Sequence, residues 1–187
     1  MTNRALKLNN KGMSLIELIV VVLIMGILST ALILNISQVY GRNAKDAAEK
    51  LSDVLDTARL EAMNKVSDEV SVRVSINGSE IVATVVYGPA TGTTDGDTTS
   101  LGNTGLKVTI MQFLDELNGT EKDLGVLGTD YNELVLSFDK STGAFKSAKS
   151  DKGDFAVKIA GVKFEAMRKA ETVLIWDTGR SYAESLD

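Results

Sequence analysis

One apolar run near the start of the chain limits its fold more than any other feature. Met13 to Leu34 is a stretch of 22 residues in which Glu17 is the only charged one. Within it, Leu18 to Leu28 reads LIVVVLIMGIL without a break. A helix of that length extends roughly 30 Å, the thickness of a bilayer core. The leader before it, Met1 to Gly12, contains Arg4, Lys7 and Lys11 and no acid. The positive-inside tendency sets that end in the cytoplasm and everything after the span outside.

Glu17 needs a reason. An acidic side chain at the centre of a membrane helix costs about 2.5–3.5 kcal/mol, so such a residue is read as functional and a partner is sought. Three readings compete for this N-terminus. A cleaved secretory signal would use Ser29-Thr30-Ala31 as its small-x-small site and start the mature chain near residue 32. An ordinary single-span anchor would use the apolar run alone. Neither explains why Gly, a hydrophobe and then Ser-Leu-Ile-Glu open the span.

The third reading accounts for these residues. The run Lys11-Gly12-Met13-Ser14-Leu15-Ile16-Glu17-Leu18 resembles the prepilin leader of type IV pilins and of the pseudopilins of type II secretion and DNA-uptake machines. The resemblance implies cleavage after Gly12 by a membrane peptidase and methylation of the new amino terminus, Met13. That family usually has Phe at this position, and Met13 keeps it apolar. Glu17 falls on the family's fifth mature residue. There it would pair with the positive amine of a neighbouring subunit, offsetting the cost of an unpaired ion in lipid and setting subunit register. The implied partners are other pilin or pseudopilin subunits, the prepilin peptidase, the membrane and the pilus assembly platform. The implied path runs from the cytoplasmic membrane, with the N-terminus inside, to a cell-surface pilus.

Two positions qualify the resemblance. Pilins of this family commonly carry Pro where this chain has Leu34, and the only proline here is Pro89. Gly26 lies where the family's helix tends to loosen in filaments. Gly costs about 1 kcal/mol against Ala in a helix interior, so Gly26 is a candidate soft point; close helix packing explains it equally well.

Composition constrains the chain beyond the span. The leader holds three of the 20 basic residues and none of the 25 acidic ones, so residues 13–187 carry a net charge of −8. An acidic exterior disfavours nucleic acid, whose binding rests on phosphate neutralisation. The chain has no Cys and no His. That excludes a disulfide framework and removes the usual zinc ligands and the Cys and His nucleophiles and bases. No arrangement of the remaining Ser, Asp and Glu suggests catalysis or a cofactor, so no enzyme is expected.

Ala44, Ala47, Ala48, Leu51, Val54, Leu55, Ala58, Ala62, Met63 and Val66 recur at steps of three and four, which predicts an amphipathic helix. Its small residues would let a sheet pack close, and the stripe is too short and alanine-rich for a long coiled coil. Val70 to Ile76 then alternates and runs into Asn77-Gly78, a strong hairpin signal, with a second strand over Glu80 to Tyr87. Further strands are predicted over Leu106–Leu114, Glu133–Asp139, Ala144–Lys149, Phe155–Ala160 and Thr172–Trp176. Val162–Ala170 reads as strand or short helix. The expected organisation is a leader at 1–12, a transmembrane or fibre-core helix at 13–35, its amphipathic continuation at 36–66, and a β-rich head at 67–187. The expected fold class is α+β, with the C-terminal half of a long N-terminal helix packed on an antiparallel β-sheet, as the pilin resemblance also implies.

Residues 88–105 number 18, of which five are Gly and six Thr, and predict an exposed, mobile loop. Glycosylated threonines, a partner contact and calcium at Asp95-Gly96-Asp97 are the functional alternatives to a plain solvated loop, although two acids fall short of a calcium ligand set. Tyr131, Trp176 and Tyr182 fit either an adhesive surface or packing. The order Leu136-Ser137-Phe138-Asp139, Gly143, then Val173 to Trp176 and Gly179-Arg180 resembles the minor H-type pseudopilins. Major and minor subunit both fit the text. A membrane-anchored extracytoplasmic binding or sensing domain that is never assembled, and an extracellular enzyme released by signal peptidase, are the readings from other classes.

Overall fold

The computed structural model describes residues 15–64, 67–88, 93–115 and 120–186, with backbone alone for 27–42, 114, 115 and 120. The chain divides into two units, Met1–Gln38 and Val39–Asp187. The one helix among the described residues, α1 (Leu15–Met63), contributes to both.

The second unit adds eleven strands: β1 (Val70–Asn77), β2 (Glu80–Tyr87), β3 (Thr94–Asn103), β4 (Lys107–Asp115), β5 (Thr120–Val126), β6 (Glu133–Phe138), β7 (Phe145–Ser150), β8 (Gly153–Asp154), β9 (Ile159–Glu165), β10 (Lys169–Ile175) and β11 (Arg180–Ser185). They form two antiparallel sheets, one in the order β3-β2-β1-β6-β7-β8 and one in the order β11-β10-β9-β4-β5. The fold class is therefore α+β, as expected, but with two sheets where one was anticipated.

Alternation in the sequence decides which strand faces go inward. In the first sheet Val72 pairs with Val85 and Leu136, and Val74 with Ala83 and Leu134. In the second, Val162 pairs with Ile110 and Thr172, and Phe164 with Val108 and Ala170. These side chains are buried in one core with Ala44, Ala47, Ala48, Leu51, Leu55, Ala58 and Ala62 of α1. Burying each leucine contributes about 1.5–3 kcal/mol of transfer free energy.

The alanines also let the backbone of α1 come close. Thr172 on β10 donates its hydroxyl proton to the Ala48 carbonyl at 2.9 Å, in the buried interior. Arg59 donates to the Thr178 carbonyl at 2.7 Å, and the Ser52 and Ser181 hydroxyls lie 3.1 Å apart. Toward the other sheet, Lys50 donates to the Ser100 carbonyl and the Tyr87 hydroxyl to Glu61. The amphipathic part of α1 is thus hydrogen-bonded to both sheets.

The β6–β7 and β10–β11 turns meet at two glycines. Gly179 has φ +64°, and a Cβ on it would overlap the Gly143 carbonyl. Gly143 has φ +71° and lies against Met63 and Arg59 of α1. Before it, Asp139 accepts hydrogen bonds from the backbone N–H groups of Ser141 and Thr142 and from both hydroxyls. These bonds hold its carboxyl well below the usual range.

The β1–β2 hairpin forms as predicted, with Asn77 paired to Glu80 and Gly78 at φ +62°. The predicted loop 88–105 is mostly something else, because β3 occupies Thr94–Asn103 and is the outermost strand of its sheet. Threonines suit a pleated edge, Leu101 is buried in the core, and Thr84 and Thr98 share a cross-strand hydrogen bond. Gly96 there provides room for the Tyr87 ring. Residues 89–92 lie outside the described set. The predicted strand over Phe155–Ala160 begins only at Ile159, and Phe155 packs edge-on against Tyr131 with ring centroids 5.1 Å apart. Val162–Ala170 is the end of β9 and the start of β10, not a helix. α1 ends at Met63, and residues 65 and 66 lie outside the described set.

Candidate assembly segment

The segment of α1 from Leu15 to Gly26 belongs to the first unit. Its composition explains its helix: leucine, isoleucine, valine and methionine without a proline, and Glu17 in the first turn, where a carboxylate favours the positive end of the helix dipole. Its burial is the reverse of its composition. Leu15, Ile16, Leu18, Ile19, Val20, Val22, Leu23, Ile24 and Met25 are all large, apolar and exposed, Leu15 by 79%. They cover the helix on every side, so no single face is set aside for a neighbour. A contiguous exposed apolar surface of this kind marks an interaction with a membrane or another protein.

Among the expected site residues, Gly12 and Met13 lie outside the described set. Glu17 is exposed in the first turn of α1, surrounded in sequence by the apolar side chains. Gly26 lies in the helix, and a Cβ built on it would meet nothing within 4 Å, so no neighbour within the described chain explains the glycine. The expected span 13–35 starts before the described residues and runs on past those described with side chains. Among the described residues no helix is long and apolar enough to cross a membrane.

Other candidates are distributed over the second unit. Asp95 pairs with Arg73 at 3.3 Å, and among the described residues no group of three acidic side chains converges as a metal site. Trp176 donates its indole proton to the Ile159 carbonyl and packs against Phe145, Tyr131 packs against Phe155, and Tyr182 is about half exposed. The three do not make one surface patch through these contacts. The sequence reading missed Glu171, a carboxyl on β10 that is only 4% exposed. The alternation of β10 carries its one signal: Thr172 is inward, so Glu171 is on the other face.

Residues 7–33 match the family described as the prokaryotic N-terminal methylation motif. The chain therefore carries the prepilin-type signal of type IV pilins and pseudopilins. The match covers the second half of the leader and all but the last residue of the apolar run, and leaves the second unit untouched. No curated protein and no solved structure matches the chain.

Proposed function

We propose that the chain is a structural subunit, a pilin or minor pilin, of a type IV pilus or a related filament. Prepilin peptidase would cut it after Gly12, the new terminus Met13 would be methylated, and the apolar helix would pass from the membrane into the fibre core. The observation that carries this reading is the coincidence of the methylation motif over residues 7–33 with a helix segment that exposes apolar side chains all round and holds one carboxylate, Glu17. In lipid or in a bundle of like helices that surface is covered, and Glu17 finds a cation in the methylated amine of the next subunit.

The second unit supports a pilin-like arrangement through the alanine stripe of α1, which is buried with both sheets. A minor, H-type role draws on one further feature. The two text segments that carry that resemblance end at Gly143 and Gly179, and these glycines touch. The role is structural, with no catalysis of its own.

Mass spectrometry of filaments sheared from the native cells tests the proposal. An abundant peptide beginning at N-methylated Met13 marks a major pilin, and the same peptide at trace level marks a minor or tip subunit. A chain found only in membranes with residues 1–12 attached overturns assembly and leaves the anchored binding or sensing domain.

A further inference from the structure

Among the described residues the two sheets end on four edge strands, β3, β8, β5 and β11, and three of these edges are blunted. β8 is two residues long. β3 and β5 each shift register twice against the strand beside them. β11 is different. Its six residues pair with β10 in unbroken register, and its text, RSYAES, holds no proline, glycine or lysine. A regular edge of that kind is a template for another strand.

The geometry of β11 defines what it offers. Leu186 donates its backbone N–H to the Lys169 carbonyl of β10. By the two-residue alternation of an antiparallel pair, Arg180, Tyr182 and Glu184 also turn their backbone groups to β10. Ser181, Ala183 and Ser185 turn theirs outward. The side chains alternate as well. Ser181 meets Ser52 of α1, and Ala183 pairs with the inward Thr172, so Arg180, Tyr182 and Glu184 share the outer face. Arg180 and Glu184 are exposed, neither forms an ion pair within the described residues, and Tyr182 between them is 47% exposed. An open groove of about 460 Å³, lined by Asp56 and Leu60 of α1 and by Ile175, Arg180 and Tyr182, borders the strand, so the helix leaves this edge uncovered.

We propose that β11 is a self-complementary docking edge whose occupant is β11 of a second copy of this chain, added antiparallel with Tyr182 opposite Tyr182. That register lets Ser181 and Ala183 exchange backbone hydrogen bonds with Ala183 and Ser181 of the second copy, using the groups that β10 leaves free. It also sets Arg180 opposite Glu184 in both directions, at the positions where facing side chains come closest. A shift by one residue, centring the pair on Ala183, would place Arg180 against Leu186 and lose both ion pairs, so charge selects the register. The contact is isologous and closes after two copies. Its twofold axis sets the buried stretches of α1 in the two chains antiparallel. The pairing therefore joins chains from opposing fibres or membranes, not neighbours along one fibre, and it belongs to the second unit whether or not the chain is cleaved and assembled.

The chain has no cysteine, so an introduced thiol is unique in each copy. The test is mild oxidation of full-length Tyr182→Cys in detergent micelles, with Ser185→Cys as the control. Facing residues at position 182 have Cα atoms about 4.5 Å apart, within disulfide reach, whereas two residues at position 185 would lie roughly 20 Å apart. Disulfide-linked dimer is expected to form about tenfold faster in Y182C than in S185C, in keeping with that difference in reach. Adding Arg180→Glu to Y182C should remove the excess, and adding Glu184→Arg as well should restore it. Equal rates in Y182C and S185C, or an excess untouched by R180E, overturns the pairing. Should Y182C fail to fold, a mixture of Arg180→Cys and Glu184→Cys chains decides. Those thiols face each other while the second ion pair stays intact, so heterodimers in excess of both homodimers support the register, and a random mixture overturns it.

Discussion

Helix α1 contains two kinds of sequence with opposite fates. Over residues 15–26 it is apolar on all sides, and every described side chain is exposed. Over residues 44–62 it is apolar on one stripe, and that stripe is buried: Ala44, Ala47, Ala48, Leu51, Leu55, Ala58 and Ala62 are each at most 1% exposed. The more hydrophobic half is thus the more exposed. Hydrophobicity alone does not bury a segment within its own chain; a stripe opposite matching strands does. An all-round apolar surface asks for surroundings that the described residues do not provide. The two halves should therefore respond differently to the same substitution, and Trp176, the only tryptophan, packed on Phe145, reports unfolding of the second unit.

The largest expected effect is at the buried stripe. Leu55→Ala removes a fully buried side chain from the core between α1 and the sheets. It should destabilise the second unit by about 2–5 kcal/mol. Urea unfolding of the full-length chain in detergent, followed by Trp176 fluorescence, measures this. An unchanged midpoint would break the comparison, because the stripe would then contribute nothing to the core.

Gly179→Ala comes next. The substitution strains a left-handed backbone and drives a Cβ into the Gly143 carbonyl. A loss of about 1–3 kcal/mol is expected in the same unfolding experiment. The strain acts through the β10–β11 turn, so the earliest amides to lose exchange protection should be those around residues 143 and 179. Loss confined to the hairpin β1–β2 would show that the two turns are not coupled.

Much of this was readable from local text, and the limits come from range. The methylation signal is contiguous, so the residue types around Gly12, Met13 and Glu17 suffice to suggest it. The α1 stripe and the β1–β2 hairpin depend on spacing within a few residues and were equally legible. The division into two sheets was not, because β1 pairs with β6 and β4 with β9 across some fifty or sixty intervening residues. β3 was hidden by a Gly- and Thr-rich composition that reads as loop until Leu101 is seen in the core. β5, with the text TEKDLGV, has too few apolar residues to announce a strand, and it is held mainly by pairing to β4. The burial of Glu171 was illegible for a related reason: its carboxyl occupies the space left by Gly161 on the neighbouring strand β9, which only the strand pairing brings beside it.

Thr172→Val tests the close approach of α1 to the sheet. Valine keeps the volume and β-branching but leaves the Ala48 carbonyl without the threonine hydroxyl. The expected loss is about 1 kcal/mol, the net value of one hydrogen bond, since that carbonyl also serves the helix ladder. A loss several times larger would mean that α1 shifts to fill the altered contact, and the alanine stripe would then be less rigidly seated than its burial implies.

The smallest effect on the second unit, and the sharpest contrast, is expected for Glu17→Ala and Leu23→Ala. Both residues are exposed, and neither belongs to the core that Trp176 reports. Each should move the unfolding midpoint by no more than about 0.5 kcal/mol, the range of surface substitutions. Under the proposed function they nevertheless differ from each other. Leu23→Ala removes only apolar area, about the equivalent of a few methylenes at roughly 0.8 kcal/mol each where a neighbour covers it, so filaments should form but shear more easily. Glu17→Ala removes the one charge able to pair with a neighbour's amine, so subunits should insert in the membrane and fail to assemble. Equal filament yields for the two variants would separate Glu17 from assembly and return it to the lesser role of a first-turn acid favouring the helix dipole.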